Sequence, residues 1–175
     1  DTKQFSKISS IFSCKKETDI LSEFFYLIAS LYSSEEDYKK SNFYLKISNF
    51  LNSKFKFNLI LIAENFYINN NYSQSRIAIN EFNEKDGIYY WYKIKINSKI
   101  ILKENGIEQS SNYLKTNFKK IKNPSEKILF DMANLSKSFK KYDEAIEYYD
   151  KILPRLNNNS STYADVLYRR GGAFE

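Results

Sequence analysis

Residues 124–154, PSEKILFDMANLSKSFKKYDEAIEYYDKILP, decide the fold. Asn123 is placed to cap a helix, Pro124 suits the first turn, and Glu126 brings a carboxylate to the positive helix end. Leu129, Met132, Ala133 and Ser136 then recur on one face at helical spacing. Lys140-Lys141 supplies cations where a helix C-terminus favours them. A second apolar face, Ala145, Ile146, Tyr149 and Ile152, runs from Tyr142 to about Pro154. The spacing predicts two helices joined by a short turn.

The same plan recurs outward from this unit. Ser41, Ser75, Ser110 and Ala145 stand 34, 35 and 35 residues apart, and Ala29, Ala63, Ser98 and Ala133 run twelve residues ahead of them. Intervals of that size mark a stack of helical hairpins. Helix axes about 8–10 Å apart need small side chains where they cross, which accounts for Ala and Ser on the ladders. Phe25, Ile28, Ala29 and Tyr32 form the first face of one hairpin, with Ser33 and Glu36 read as a capping box opening its second helix. Leu59, Ile62, Ala63 and Phe66 lead into a turn at Asn69-Asn70-Asn71. A third hairpin begins after Gly87 and turns near Asn105-Gly106. A fifth opens at Leu167 and Gly171, with Gly171 on the rung. Tyr92–Ile96 alternates as a strand would, but the register of the neighbouring repeats makes it helix. Phe5, Ile8 and Phe12 share one helical face, so residues 1–18 read as an N-terminal helix or the remnant of a preceding repeat. Residues 19–175 read as the repeat array.

Composition adds little beyond this. The chain has 175 residues, 42% hydrophobic and 27% charged, with a net charge of +6. Aromatic residues reach 17%, and they recur with the repeat, which points to packing. The lysines fall in scattered pairs, the pattern of solvated helix faces. No apolar run approaches the roughly 18–20 residues that span a bilayer. The chain opens at Asp1 without Met and stops at Glu175 inside a predicted helix. It therefore reads as a fragment, truncated at the C-terminal end, and its compartment is not legible.

These residues resemble the tetratricopeptide repeat family. The match rests on Leu129-x-x-Met132-Ala133 followed by Tyr142-Asp-Glu-Ala145-Ile-Glu-Tyr-Tyr149-Asp-Lys-Ile152-Leu. Tyr168-Arg-Arg-Gly171-Gly-Ala-Phe174 resembles the opening of a further repeat, and weaker matches cover 22–53, 56–86 and 91–122. Ser136 stands where the family has an aromatic, and Ser48, Phe82 and Ile152 where it has Ala. The resemblance implies an all-α fold, a right-handed superhelix (solenoid) of antiparallel helix hairpins. First helices would line a concave groove and second helices the convex back. It also implies a non-catalytic scaffold that holds a protein or peptide, without cofactor or metal.

The residue inventory agrees with that expectation. With no histidine and one cysteine, Cys14, the chain lacks the parts of a Ser-His-Asp or Cys-His nucleophile and of a thiolate zinc site. Glu35-Glu36-Asp37 reads as an acidic first turn of a helix rather than a metal site. Binding candidates lie on the groove side of first helices: Lys95 and Lys99 one turn apart, then Asn134 and Arg169, flanked by Tyr92, Phe130 and Tyr168. Such a strip suits carboxylates or phosphates, so the expected partner is a protein or peptide, acidic ones included, although Asp131 nearby opposes a simple anion site. The carboxylate clamp of chaperone-binding members is not reproduced, because Tyr26 and Ser30 stand at its positions. The alternative is single-stranded RNA binding of pentatricopeptide type, disfavoured because the groove positions form no recurrent code. Leu167, Ala173 and Phe174 lack a following helix, so self-association through that end is a further expectation.

Overall fold

The computed structural model describes Ser13 and residues 15–174. The helix expected around Phe5, Ile8 and Phe12 lies outside them. Among the described residues the chain is all-α, with nine α-helices, two short 3-10 turns and no strand. In chain order the helices are α1 (Glu17–Ser34), α2 (Tyr38–Leu51), α3 (Phe57–Ile68), α4 (Tyr72–Ala78), α5 (Ile88–Asn105), α6 (Ile107–Phe118), α7 (Glu126–Ser138), α8 (Tyr142–Ile152) and α9 (Ser161–Gly171). The 3-10 turns are Glu84–Asp86 and Leu153–Arg155. Two compact units divide inside α5, unit 1 ending at Ile100 and unit 2 beginning at Ile101. None of the described helices is long and apolar enough to cross a membrane.

Three of the helix-helix turns share one backbone geometry. Three turns are closed in the same way: Asp37 N–H donates to Tyr32 C=O at 2.9 Å, Asn71 to Phe66 at 2.8 Å, and Lys141 to Ser136 at 2.9 Å. Each turn passes through one left-handed residue, Glu36 (φ 61°), Asn70 (φ 57°) and Lys140 (φ 58°). A single left-handed residue satisfies the last carbonyls of one helix and reverses the chain into the next. At the α5–α6 turn Gly106 (φ 89°) takes the positive φ.

Two local expectations change at these turns. Ser33 does not cap α2: it lies within α1 and its hydroxyl donates to Asn65 Oδ1 at 2.7 Å. Asp37 is the cap, accepting from Lys40 N–H at 3.1 Å. The acidic run is therefore the turn itself rather than a first helical turn. Likewise α7 is capped by Ser125, which accepts from the Ile128 N–H. Asn123 is left-handed (φ 51°), a conformation that the short polar side chain of asparagine tolerates, so it lies in the turn ahead of the cap.

All eight ladder residues are buried, each at most 1% exposed. In unit 1 one pair is joined across the crossing, where the Ser75 hydroxyl donates to Ala63 C=O at 2.8 Å. Ser22 and Ser48 do the same for α1 and α2, each hydroxyl donating to the other's carbonyl. Small side chains here bring backbones close, and these three hydroxyls find carbonyl acceptors across the crossings. Ala29, Leu45 and Ile62 form one apolar cluster; Ile60, Ala63, Ile79, Phe82, Ile96 and Ile100 form another. Unit 2 has its own core, in which Leu129, Ala133, Ala145, Tyr149, Ile152 and Val166 meet.

The predicted last rung is displaced. Gly171 is exposed, and a Cβ added there would meet open space. Val166 and Ala173, seven residues apart, are the buried positions, whereas Leu167 and Phe174 are exposed. Stepping one residue along a helix turns a side chain by about 100°, so the buried face passes through Val166 rather than Leu167.

Candidate functional site

The candidate residues belong to different units: Tyr92, Lys95 and Lys99 to unit 1, Phe130, Asn134, Tyr168 and Arg169 to unit 2. In unit 1 they lie on successive turns of α5, a helix anchored by fully buried Trp91 and Ile94. Lys93, on another face of α5, is structural. Its ammonium donates to the carbonyls of Asn80 and Phe82, both at 2.8 Å, and burial lowers its pKa.

Both candidate lysines rest on aromatic rings. Lys95 Nζ lies 4.5 Å from the Tyr92 ring centre, and Lys99 Nζ 5.9 Å from that of Tyr67 on α3. A ring face attracts a cation electrostatically, which holds the Lys95 ammonium against its own helix and draws that of Lys99 toward α3. Tyr67 was not among the residues singled out from sequence. A run of rings extends this surface: Tyr26 packs on Phe55 at 5.0 Å, Phe55 on Phe57 at 6.0 Å, and Phe57 on Tyr89 at 5.3 Å and Tyr92 at 6.5 Å. Burial pushes the Tyr26 phenol up, its hydrogen bond with Ser30 opposing and the nearby Glu64 carboxylate reinforcing the shift. Glu64 thus brings one negative charge to an otherwise aromatic and cationic face.

In unit 2 three of the four candidates converge. The Arg169 guanidinium on α9 stacks over the Phe130 ring of α7 at 5.2 Å, and its Nη1 reaches Asn134 Oδ1 at 3.5 Å. The Tyr149 hydroxyl of α8 donates to the same oxygen at 2.7 Å, and its ring meets Phe130 edge-on. Burial raises the Tyr149 pKa, with Arg169 opposing, so the phenol keeps the proton it donates. Tyr168 takes no part and is 82% exposed.

Asp165 is the residue that sequence reasoning missed here. Both of its carboxylate oxygens accept from Arg169 Nε, at 3.0 and 3.1 Å. The two residues are four apart on one helix, a spacing legible in the sequence. Beside the cluster a cleft of about 460 Å³ lies between α7 and α9, edged by Glu126, Lys127, Phe130, Thr162 and Asp165. Its mixed charges suit a partner carrying both signs, whereas the lysines of unit 1 suit carboxylates. Both faces offer aromatic area with a few fixed polar groups, the composition of a contact surface. Among the described residues no three His, Cys, Asp or Glu side chains are grouped to hold a metal ion. No model of a known protein family matches the chain, and neither does any curated protein.

Proposed function

We propose that the chain is a non-catalytic scaffold of tetratricopeptide type, holding a peptide or partner protein on the aromatic and polar faces of its first helices. The reading takes the hairpins to stack as a right-handed superhelix with those faces lining the groove. One observation carries it: Asn134 and Arg169, one 35-residue period apart, meet on neighbouring first helices beside an open cleft. A groove made of equivalent helix faces requires such meetings between residues one repeat apart. The aromatic run in unit 1 supports it, since rigid rings supply contact area at low entropic cost.

Selection of a displayed peptide library on the whole chain tests the proposal. Peptides bearing carboxylates should be enriched, and K95E together with K99E should weaken them about tenfold or more, the size expected for lost charge-assisted contacts. Affinity unchanged by that reversal removes the two lysines from the site. Filter binding of homopolymer RNA across a salt series tests the pentatricopeptide alternative. Tight binding that falls steeply with salt favours that alternative.

A further inference from the structure

Unit 1 carries a second recessed surface that uses none of these residues. α2 turns Lys39, Phe43, Lys46 and Phe50 outward at spacings of four, three and four, and all four are exposed. α2 and α4 both pack on α3. Between them lie two clefts of about 420 and 380 Å³ that share Lys46 and Phe66 and so form one trough. Phe43 borders the first cleft, Phe50 and Ile77 border the second, and Ile62 of α3 lies at its floor. Phe50 is 88% and Ile77 62% exposed, a large outlay of apolar surface for side chains that face water.

The charge of the trough is one-sided. Lys39 and Lys46 line it, and no Asp or Glu does. Asp37, at the head of α2, is already committed, capping the helix and pairing with Lys40 at 2.8 Å. From Lys39 to Phe50 the trough runs about 16 Å along α2, matching three helical turns or five extended residues. We propose that it docks an acidic amphipathic segment of a partner protein. The apolar side chains of that segment fill the clefts between Phe43, Phe50 and Ile77, and its carboxylates reach Lys39 and Lys46. The recess favours a peptide over an anionic bilayer, which receives protruding side chains rather than filling clefts.

The test selects a random 12-residue peptide library on the whole chain and on a variant carrying F50S and K46E, both changes at exposed positions. A class of net-acidic peptides with aromatic or large aliphatic anchors should be recovered on the parent alone. It should bind the variant at least tenfold more weakly, while K95E with K99E leaves it unchanged. Four outcomes overturn the proposal. These are identical classes on parent and variant, a lost class without acidic bias, a dimer in sedimentation that F50S dissociates, or binding to phosphatidylserine vesicles that F50S and K46E abolish without any peptide class.

Discussion

Tyr149→Ala should lower the stability of unit 2 by about 3–5 kcal/mol, the range for emptying a fully buried aromatic site. Tyr149 has no exposed surface and sits among Leu129, Ala133, Ala145, Ile152 and Val166, donated to the core by three different helices. Its removal leaves a cavity that rigid helix crossings fill poorly, and it strips Asn134 of a hydrogen bond. Tyr149→Phe separates the two effects. Losing the hydroxyl alone should cost about 0.5–1.5 kcal/mol, since Asn134 keeps Arg169 as a partner. Urea unfolding of both variants measures the difference. Equal losses would place the energy in the hydroxyl rather than in the packing.

Asn65→Asp should destabilise unit 1 by about 3–5 kcal/mol at neutral pH, as expected for a buried charge without a partner. Asn65 is fully buried and ties three helices together. Its Oδ1 accepts from Ser33 on α1, and its Nδ2 donates to Ser41 Oγ at 2.8 Å and Asn42 Oδ1 at 2.9 Å on α2. A carboxylate replaces two donated hydrogens with repulsion toward the Asn42 oxygen. Burial would raise the new carboxyl's pKa in the folded state. The folded chain would then hold the proton more tightly than the unfolded chain. The penalty should therefore be smallest below about pH 4 and grow as pH rises toward the folded pKa. A loss independent of pH would show that the site admits water.

Hairpin turns reveal both the reach and the limits of the sequence. Asn70 and Gly106 announce a left-handed turn, because those residue types tolerate positive φ. Glu36 and Lys140 adopt the same conformation with no local signal, imposed by the hairpin around them. The spacing of Ser33 and Glu36 fits a capping box, but the hairpin puts Glu36 in the turn and leaves the cap to Asp37. The eight ladder residues were legible because close helix approach tolerates few side chains, and every one is buried. Val166 was not, since the polar run Asn157–Thr162 changes the register and moves the buried face by one residue.

At the candidate site, Phe130, Asn134 and Arg169 were found through the period, and they meet. Tyr168, chosen by adjacency to Arg169, points elsewhere because neighbours on a helix diverge. Tyr67 escaped notice because its partner, Lys99, lies on another helix at a separation of 32 residues, outside the repeat interval.

Ala145→Leu, followed by urea denaturation, most directly asks whether tiny side chains hold these helices together. Ala145 is fully buried beside Leu129, Ala133 and Tyr149. Three extra carbons there should cost about 1–3 kcal/mol through overpacking. Glu147→Leu, at an exposed position on the same helix, should change stability by no more than about 0.5 kcal/mol. A tolerated leucine at position 145 would contradict the nested crossing on which both the fold and the proposed groove depend.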